Sequence, residues 1–180
     1  VVLGRMVEVL SGEDFYAYMQ RHVFAPAGMT RTDFARCDDP ARDAAWGYAT
    51  VAGKRVRNCA TNPMRGFAAG GTMSTARDLL LFVNALNAGK LVGKPLLAEA
   101  TRTHKEFMGL GFFATDYGGD KLPRDFRWGH GGSSDGICTD LRHYPRTGET
   151  IVTLSNRDAP ACFPLASFLH DEFRARAKKR

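Results

Sequence analysis

From residue 109 onward the apolar side chains of this 180-residue chain recur at a period of two, where before they recur at helical spacing, and this change constrains the fold more than any other feature. Four strands are expected, at residues 109–117, 124–129, 138–144 and 149–155. They are joined by Gly118-Gly119-Asp120, by the glycine-rich stretch that follows Gly129, and by Pro145-Arg146-Thr147-Gly148. Connections this short force antiparallel neighbours. Residues 160–178 then carry Phe163, Leu165, Phe168, Leu169 and Phe173 at helical spacing, enough to lay one helix across a face of the sheet.

The first part reads as mainly helical. Residues 1–10 form an apolar-faced helix stopped by Ser11-Gly12, and residues 14–23 form a second, ended by Pro26 and Gly28; both are expected to face a core. Residues 46–58 alternate around Gly53-Lys54 as a short exposed hairpin. Thr75, with Asp78 three residues on, reads as a capping box that opens a helix over 76–87. Leu79, Leu80, Phe82, Val83 and Leu86 are its expected buried face, and Gly89 its stop. The fold class is therefore α+β, an antiparallel sheet with helices packed on it, within one domain: 1–105 mainly helical, 106–180 strands plus a C-terminal helix.

Composition narrows the function. A chain 44% hydrophobic and 24% charged is that of a globular domain rather than a disordered one. The net charge of +6 comes partly from the run at 174–180, which suits a solvated helix end, so no nucleic-acid partner is expected. No stretch approaches 18 consecutive apolar residues, so no transmembrane segment is expected. Cys37, Cys59, Cys138 and Cys162 form no C-x-x-C pair and no zinc spacing with the histidines; neither a metal site nor a cofactor is expected. Their even number permits disulfides without showing any.

One stretch, Arg127-Trp128-Gly129-His130-Gly131-Gly132-Ser133-Ser134-Asp135-Gly136, sets a single imidazole among four glycines. Glycine gathers where a backbone turns sharply or where something must approach the main chain, and a titratable ring at such a place is a candidate for chemistry. The plain alternative is a strand that ends in a glycine-rich loop. Residues 132–136 also fit G-x-S-x-G, the nucleophile elbow of α/β-hydrolases, which would make Ser134 the attacking group. That elbow leads into a helix, whereas residues 137–144 read as a strand, so the match is set aside.

Three further segments sit in a telling order: Pro26-Ala27-Gly28-Met29-Thr30-Arg31-Thr32, then Ala69-Gly70-Gly71-Thr72-Met73-Ser74-Thr75-Ala76-Arg77-Asp78, then Gly129-His130-Gly131-Gly132 before a strand ending Leu154-Ser155-Asn156. In order and spacing they resemble the C-terminal part of the serine β-lactamase and penicillin-binding-protein-like family, of the class C and esterase kind. The resemblance implies a partial β-lactamase/transpeptidase-like fold. It implies that His130 holds the place of the Lys or His of the family's Lys-Thr-Gly or His-x-Gly strand, with Gly131 and Gly132 completing the triplet and lining the substrate site. By the same resemblance, Gly132 leaves room for the acyl group to lie against the strand, and the Ser133 amide supplies half of the oxyanion hole.

The family nucleophile belongs to Ser-x-x-Lys, assisted by the tyrosine of Tyr-x-Asn, and neither motif occurs in the 180 residues. Both precede, in the family, the segment that Val1-Val2-Leu3-Gly4 resembles, so the chain is expected to be a truncated piece lacking the first strands of the sheet and inactive alone. The resemblance implies a parent that acts by acyl-enzyme chemistry on a small-molecule or peptide substrate, whether β-lactam, ester or D-amino-acid peptide, in the periplasm or outside the cell. Residues 160–164 lack the Asn and Arg with which class C enzymes read the β-lactam carboxylate, which puts antibiotic hydrolysis in doubt. A non-catalytic binding protein on the same scaffold is the alternative. The sheet edge left open by missing strands is expected to support a homodimer.

Overall fold

The computed structural model describes residues 1–39, 43–115 and 126–177, which group into two compact units, Val1–Val92 and Gly93–Arg180.

In the first unit, α1 (Val2–Ser11) ends at Gly12, whose φ of 71° suits a residue without Cβ and whose N–H is donated to the Glu8 carbonyl. Its apolar residues do not face a core as expected. Val2, Leu3, Met6, Val9 and Leu10 are exposed, and the buried residue is Gly4, where a Cβ would collide with that of Ala68. The second helix, α2, runs over Phe15–Met19, widens into a π-helical turn at Gln20–Phe24 and closes with Ala25–Ala27. Asp14 caps it by accepting from the amides of Tyr16 and Ala17 at 3.0 and 3.3 Å. The helix passes Pro26 and stops at Gly28, φ 75°, one turn later than the sequence suggested.

Phe24, Ala27, Met29, Phe34 and Ala85 form the core of this unit, with the Phe34 ring 5.2 Å from Tyr16 and 5.6 Å from Phe15 in edge-to-face geometry. The expected hairpin is present as β1 (Tyr48–Val51) and β2 (Lys54–Arg57), turned by Ala52 and Gly53 at positive φ. A Cys37–Cys59 disulfide, Cα–Cα 5.7 Å, ties the segments around it. The third helix, α3 (Ala76–Asn87), is capped by Thr75, which accepts from the Asp78 amide at 3.1 Å. Val83 and Leu86 are buried as expected, but Leu80 is 42% exposed, because the stripe that meets the core is narrower than the apolar run.

The second unit opens with α4 (Lys94–Ala100), which the periodicity did not reveal. A four-stranded, fully antiparallel sheet follows in the order β3-β4-β5-β6: β3 (Phe113–Thr115), β4 (Arg127–Ser134), β5 (Ile137–Tyr144) and β6 (Glu149–Ser155). The first two strands differ most from expectation: β3 is short, and residues 116–125, with the turn placed at 118–120 and the expected strand start at 124, lie outside the described residues. Helix α5 (Phe163–Ala177) packs on β5 and β6, with Ala166, Leu169 and Phe173 against Tyr144 and Ile151. Leu165 and Phe168, expected on that face, are 51% and 59% exposed. A second disulfide, Cys138–Cys162, joins β5 to the residue before α5.

Candidate functional site

The glycine-rich stretch is a strand, not a loop after one. β4 continues five residues beyond Gly129 to Ser134, where Asp135-Gly136 turns the chain into β5 with Gly136 at φ 65°. The Gly136 amide is held by the Asp158 carboxylate at 2.7 Å. No helix follows Ser134, which disposes of the nucleophile-elbow reading. On its other side β4 is paired with β3 only at Arg127, Trp128 and Gly129. Among the described residues, therefore, no strand covers residues 130–134, and that half of β4 is an open edge.

Its glycines have different causes. A Cβ at Gly129 would collide with the carbonyl of Leu141, and one at Gly131 would come within 2.9 Å of the Thr139 oxygen. The close approach of the β5 backbone demands these two. Gly132 has no such reason: its nearest neighbour would be Thr139 Oγ1 at 4.0 Å, and its φ lies outside the left-handed region. Nothing in the fold itself requires a missing side chain there.

The two-residue turn fixes which way the backbone points. In such a hairpin the flanking pair, Ser134 with Ile137, bonds across the ladder, and the pattern alternates from there. Gly132 and His130 thus bond toward β5, while Ser133 and Gly131 turn their amide and carbonyl groups to the open edge. One of those carbonyls already has a partner, since the His130 ring folds back and its Nδ1 meets the Gly131 oxygen at 2.7 Å. A carbonyl only accepts, so Nδ1 carries the hydrogen, and the neutral ring keeps Nε2 as an acceptor. The imidazole lies over Phe113 with ring centres 4.3 Å apart and planes 18° from parallel. A cleft of about 410 Å³ opens along this edge, lined by Phe113, His130, Gly131, Gly132 and Ser133, and also by Phe107 and Phe163. The four residues singled out from the sequence, His130, Gly131, Gly132 and Ser133, therefore share one cleft.

Sequence reasoning missed two charged residues that also line the cleft. Asp140 and Arg142, two apart on β5, share a face, and Arg142 donates from Nε and Nη2 to Asp140 Oδ2 at 2.7 and 2.6 Å. Both are nearly buried, so each offsets the other's desolvation. Their i, i+2 spacing in a strand was a readable signal. Behind the site, His143 is buried against Trp128, ring centres 4.8 Å apart, with Nδ1 2.9 Å from Thr150 Oγ1. Burial holds its pKa below the ordinary histidine value, partly offset by hydrogen bonding with the Glu149 backbone.

The earlier motifs serve the first unit's structure. Asp78, 3% exposed, does not return the capping-box bond; its Oδ2 accepts from the Arg31 amide and from Thr32 Oγ1, both at 2.8 Å. It thereby pins the segment that follows Gly28-Met29 to α3. Gly66 and Gly71 approach too closely for a side chain on either. Among the described residues no cluster of His, Cys, Asp and Glu could hold a metal ion, and no helix is long and apolar enough to cross a membrane.

Comparison with known proteins identifies the family and the fold. A family model described as Beta-lactamase matches residues 1–172. The putative penicillin-binding protein PbpX of Bacillus subtilis (strain 168) is 27% identical over 157 residues, 85% of this chain and 37% of that protein. The crystal structure of a penicillin-binding protein from Bacillus halodurans superposes with a TM-score of 0.83 at 24% identity, covering 93% of this chain and 53% of the other. That of the D-amino acid amidase of Ochrobactrum anthropi SV3, complexed with L-phenylalanine, gives 0.72 at 22% identity, covering 97% and 55%. At these identities the two structures speak for the fold. The chain spans 37% of the curated relative's length and about half of each structure's.

Proposed function

The chain belongs to the β-lactamase family, and from that premise we propose that it supplies the acyl-donor wall of a serine hydrolase that works through an acyl-enzyme. The observation that carries this is the open half of β4, where the Ser133 amide points out of the ladder beside Gly132, a glycine that the fold does not need. An acyl donor lying along that edge would extend the sheet by one strand. Its carbonyl oxygen would receive the Ser133 N–H, and a donor placed where negative charge develops typically contributes about 3 kcal/mol to the transition state. His130 stands at the mouth with Nε2 free to accept from a catalytic hydroxyl or a substrate N–H; protonated, it would attract a substrate carboxylate.

The serine ester itself requires a nucleophile with an adjacent base, and the sequence has no Ser-x-x-Lys and no Tyr-x-Asn. On this reading the 180-residue chain alone is inactive, and a longer chain bearing both motifs ahead of Val1 is the hydrolase. Its substrates are esters, D-amino-acid amides or peptides, or β-lactams; the resemblance to a D-amino acid amidase supports the amides. Two disulfides suit the periplasm or the exterior of the cell, where such bonds persist.

A chromogenic ester, a chromogenic cephalosporin and a D-amino-acid anilide, each assayed on both chains, test the proposal. Turnover by the longer chain, reduced at least tenfold by His130→Ala, is the expected result. A longer chain that binds these compounds without turnover would favour the alternative, a binding protein on the same scaffold. Turnover by the short chain that Ser134→Ala abolishes would restore the nucleophile elbow.

A further inference from the structure

The cleft along β4 carries more aromatic surface than the chemistry above uses. Phe107, from the segment before β3, is 48% exposed, and Phe163, the first residue of α5, is 37% exposed; both line the cleft with Phe113. Each is held in place. The Phe107 ring stands edge-on to Phe113, centres 5.6 Å apart and planes at 68°, and the Phe107 carbonyl accepts the Ala114 amide at 2.8 Å. Phe113 in turn is stacked on His130. Phe163 follows directly on Cys162, which is bonded to Cys138 of β5 and whose amide lies 3.2 Å from Cys138 Sγ. Two half-exposed phenylalanines fixed from different elements around one cleft form a preorganised surface, which a ligand need not spend its own binding energy to order.

The charged side chains there are already engaged, Arg142 with Asp140 and Arg127 with Thr115 Oγ1 at 3.2 Å, so the unused surface is apolar and ring-shaped. An aliphatic group would gain from buried area alone. A ring would also extend the edge-to-face and stacked series of Phe107, Phe113 and His130, which adds to area burial. We propose that this cleft selects acyl donors bearing an aromatic side group, with Phe107, Phe113 and Phe163 as its specificity-determining residues. The inference rests on the β4 edge being the acyl-donor site.

The test is a ¹H–¹⁵N NMR titration of the 180-residue chain with phenylacetylglycinamide, cyclohexylacetylglycinamide and acetylglycinamide. The phenylacetyl compound is expected to bind about tenfold tighter than the acetyl one and at least threefold tighter than the cyclohexyl one. It should move the amides of Phe107, Phe113 and Phe163 together with Gly131 and Ser133. In a Phe107→Leu/Phe163→Leu variant that keeps a dispersed spectrum, the margin over cyclohexyl should vanish. Equal affinity for phenyl and cyclohexyl compounds that both move the β4 amides would overturn the aromatic preference and leave the acyl-donor site standing. If no compound moves Gly131 or Ser133, the reading of the β4 edge fails and this proposal with it.

Discussion

The three glycines of β4 offer a graded test of which part of the strand serves the fold and which part serves a ligand. Gly129→Ala drives a methyl group into the Leu141 carbonyl, a backbone atom that cannot rotate away, so strand β5 has to shift. Overpacking of this kind costs about 1–3 kcal/mol, and a backbone collision belongs at the upper end. Gly131→Ala meets the Thr139 oxygen at 2.9 Å and should cost roughly 1 kcal/mol, since a few tenths of an ångström relieve it. Gly132→Ala meets nothing nearer than 4.0 Å and loses the entropic penalty of glycine in a strand, so the fold should gain about 0.5 kcal/mol. For a chain of this size 1 kcal/mol moves Tm by about 2–4 °C. The expected series is therefore a fall of roughly 6–12 °C for Gly129→Ala, about 3 °C for Gly131→Ala, and a slight rise for Gly132→Ala. Function should run the other way, with Gly132→Ala weakening phenylacetylglycinamide about tenfold while the fold is unharmed. A Gly132→Ala chain that melts as low as Gly129→Ala, or that binds normally, would refute the division.

Three other outcomes follow from the same structure. Asp78→Ala leaves the Arg31 amide and the Thr32 hydroxyl without their buried acceptor and should cost about 3 kcal/mol in urea unfolding; a loss under about 1 kcal/mol would show that the network is not required. His143 has its pKa depressed in the folded chain, so the unfolded chain binds more protons as pH falls below about 6.5, and Tm should drop from pH 7.5 to pH 5; His143→Gln should flatten that slope. The outer edge of β6 carries Leu154 at 42% exposure and no strand beyond it among the described residues, so the isolated chain should dimerise or aggregate, and light scattering that finds only monomer over a wide concentration range would contradict this.

Much of this architecture was legible because strands with unlike faces announce themselves. β5 was expected at 138–144 and is Ile137–Tyr144, and β6 matches at both ends, since both are β-branched or aromatic runs separated by the turn residues Pro145 to Gly148. β4 was cut short at Gly129 because glycine contributes nothing to a period, and the run beyond it reads as a loop by composition alone. α4 was overlooked although Gly93 and Pro95 marked its first turn; seven residues are too few for a period to emerge. Disulfide partners were beyond reach, since four cysteines allow three pairings and only the fold brings Cys138 to Cys162. The site triplet emerged through its resemblance to a family strand and the Asp140–Arg142 pair had its i, i+2 spacing as a signal, whereas Phe107 and Phe163 gain meaning only from the cleft they share.

Among the described residues, no strand covers the outer edge of β6 or the half of β4 beyond Gly129, and the two differ in how they meet water. An exposed edge invites pairing with another chain, and proteins usually blunt it with lysine, proline or a bulge. β6 has none of these between Glu149 and Ser155, and its free edge spans the whole strand. The open half of β4 lacks them too, but it is only five residues long and part of its hydrogen-bonding capacity is occupied, because the His130 ring donates to the Gly131 carbonyl. What remains at that edge is the Ser133 peptide and the Gly131 N–H, on either side of a glycine that no neighbour demands. On the proposed reading, a segment with two adjacent glycines, partly closed by its own imidazole and flanked by fixed phenylalanines, is too short and too guarded to template a foreign strand, yet has room for one acyl group. On that reading its exposure serves a small ligand, which sets it apart from β6.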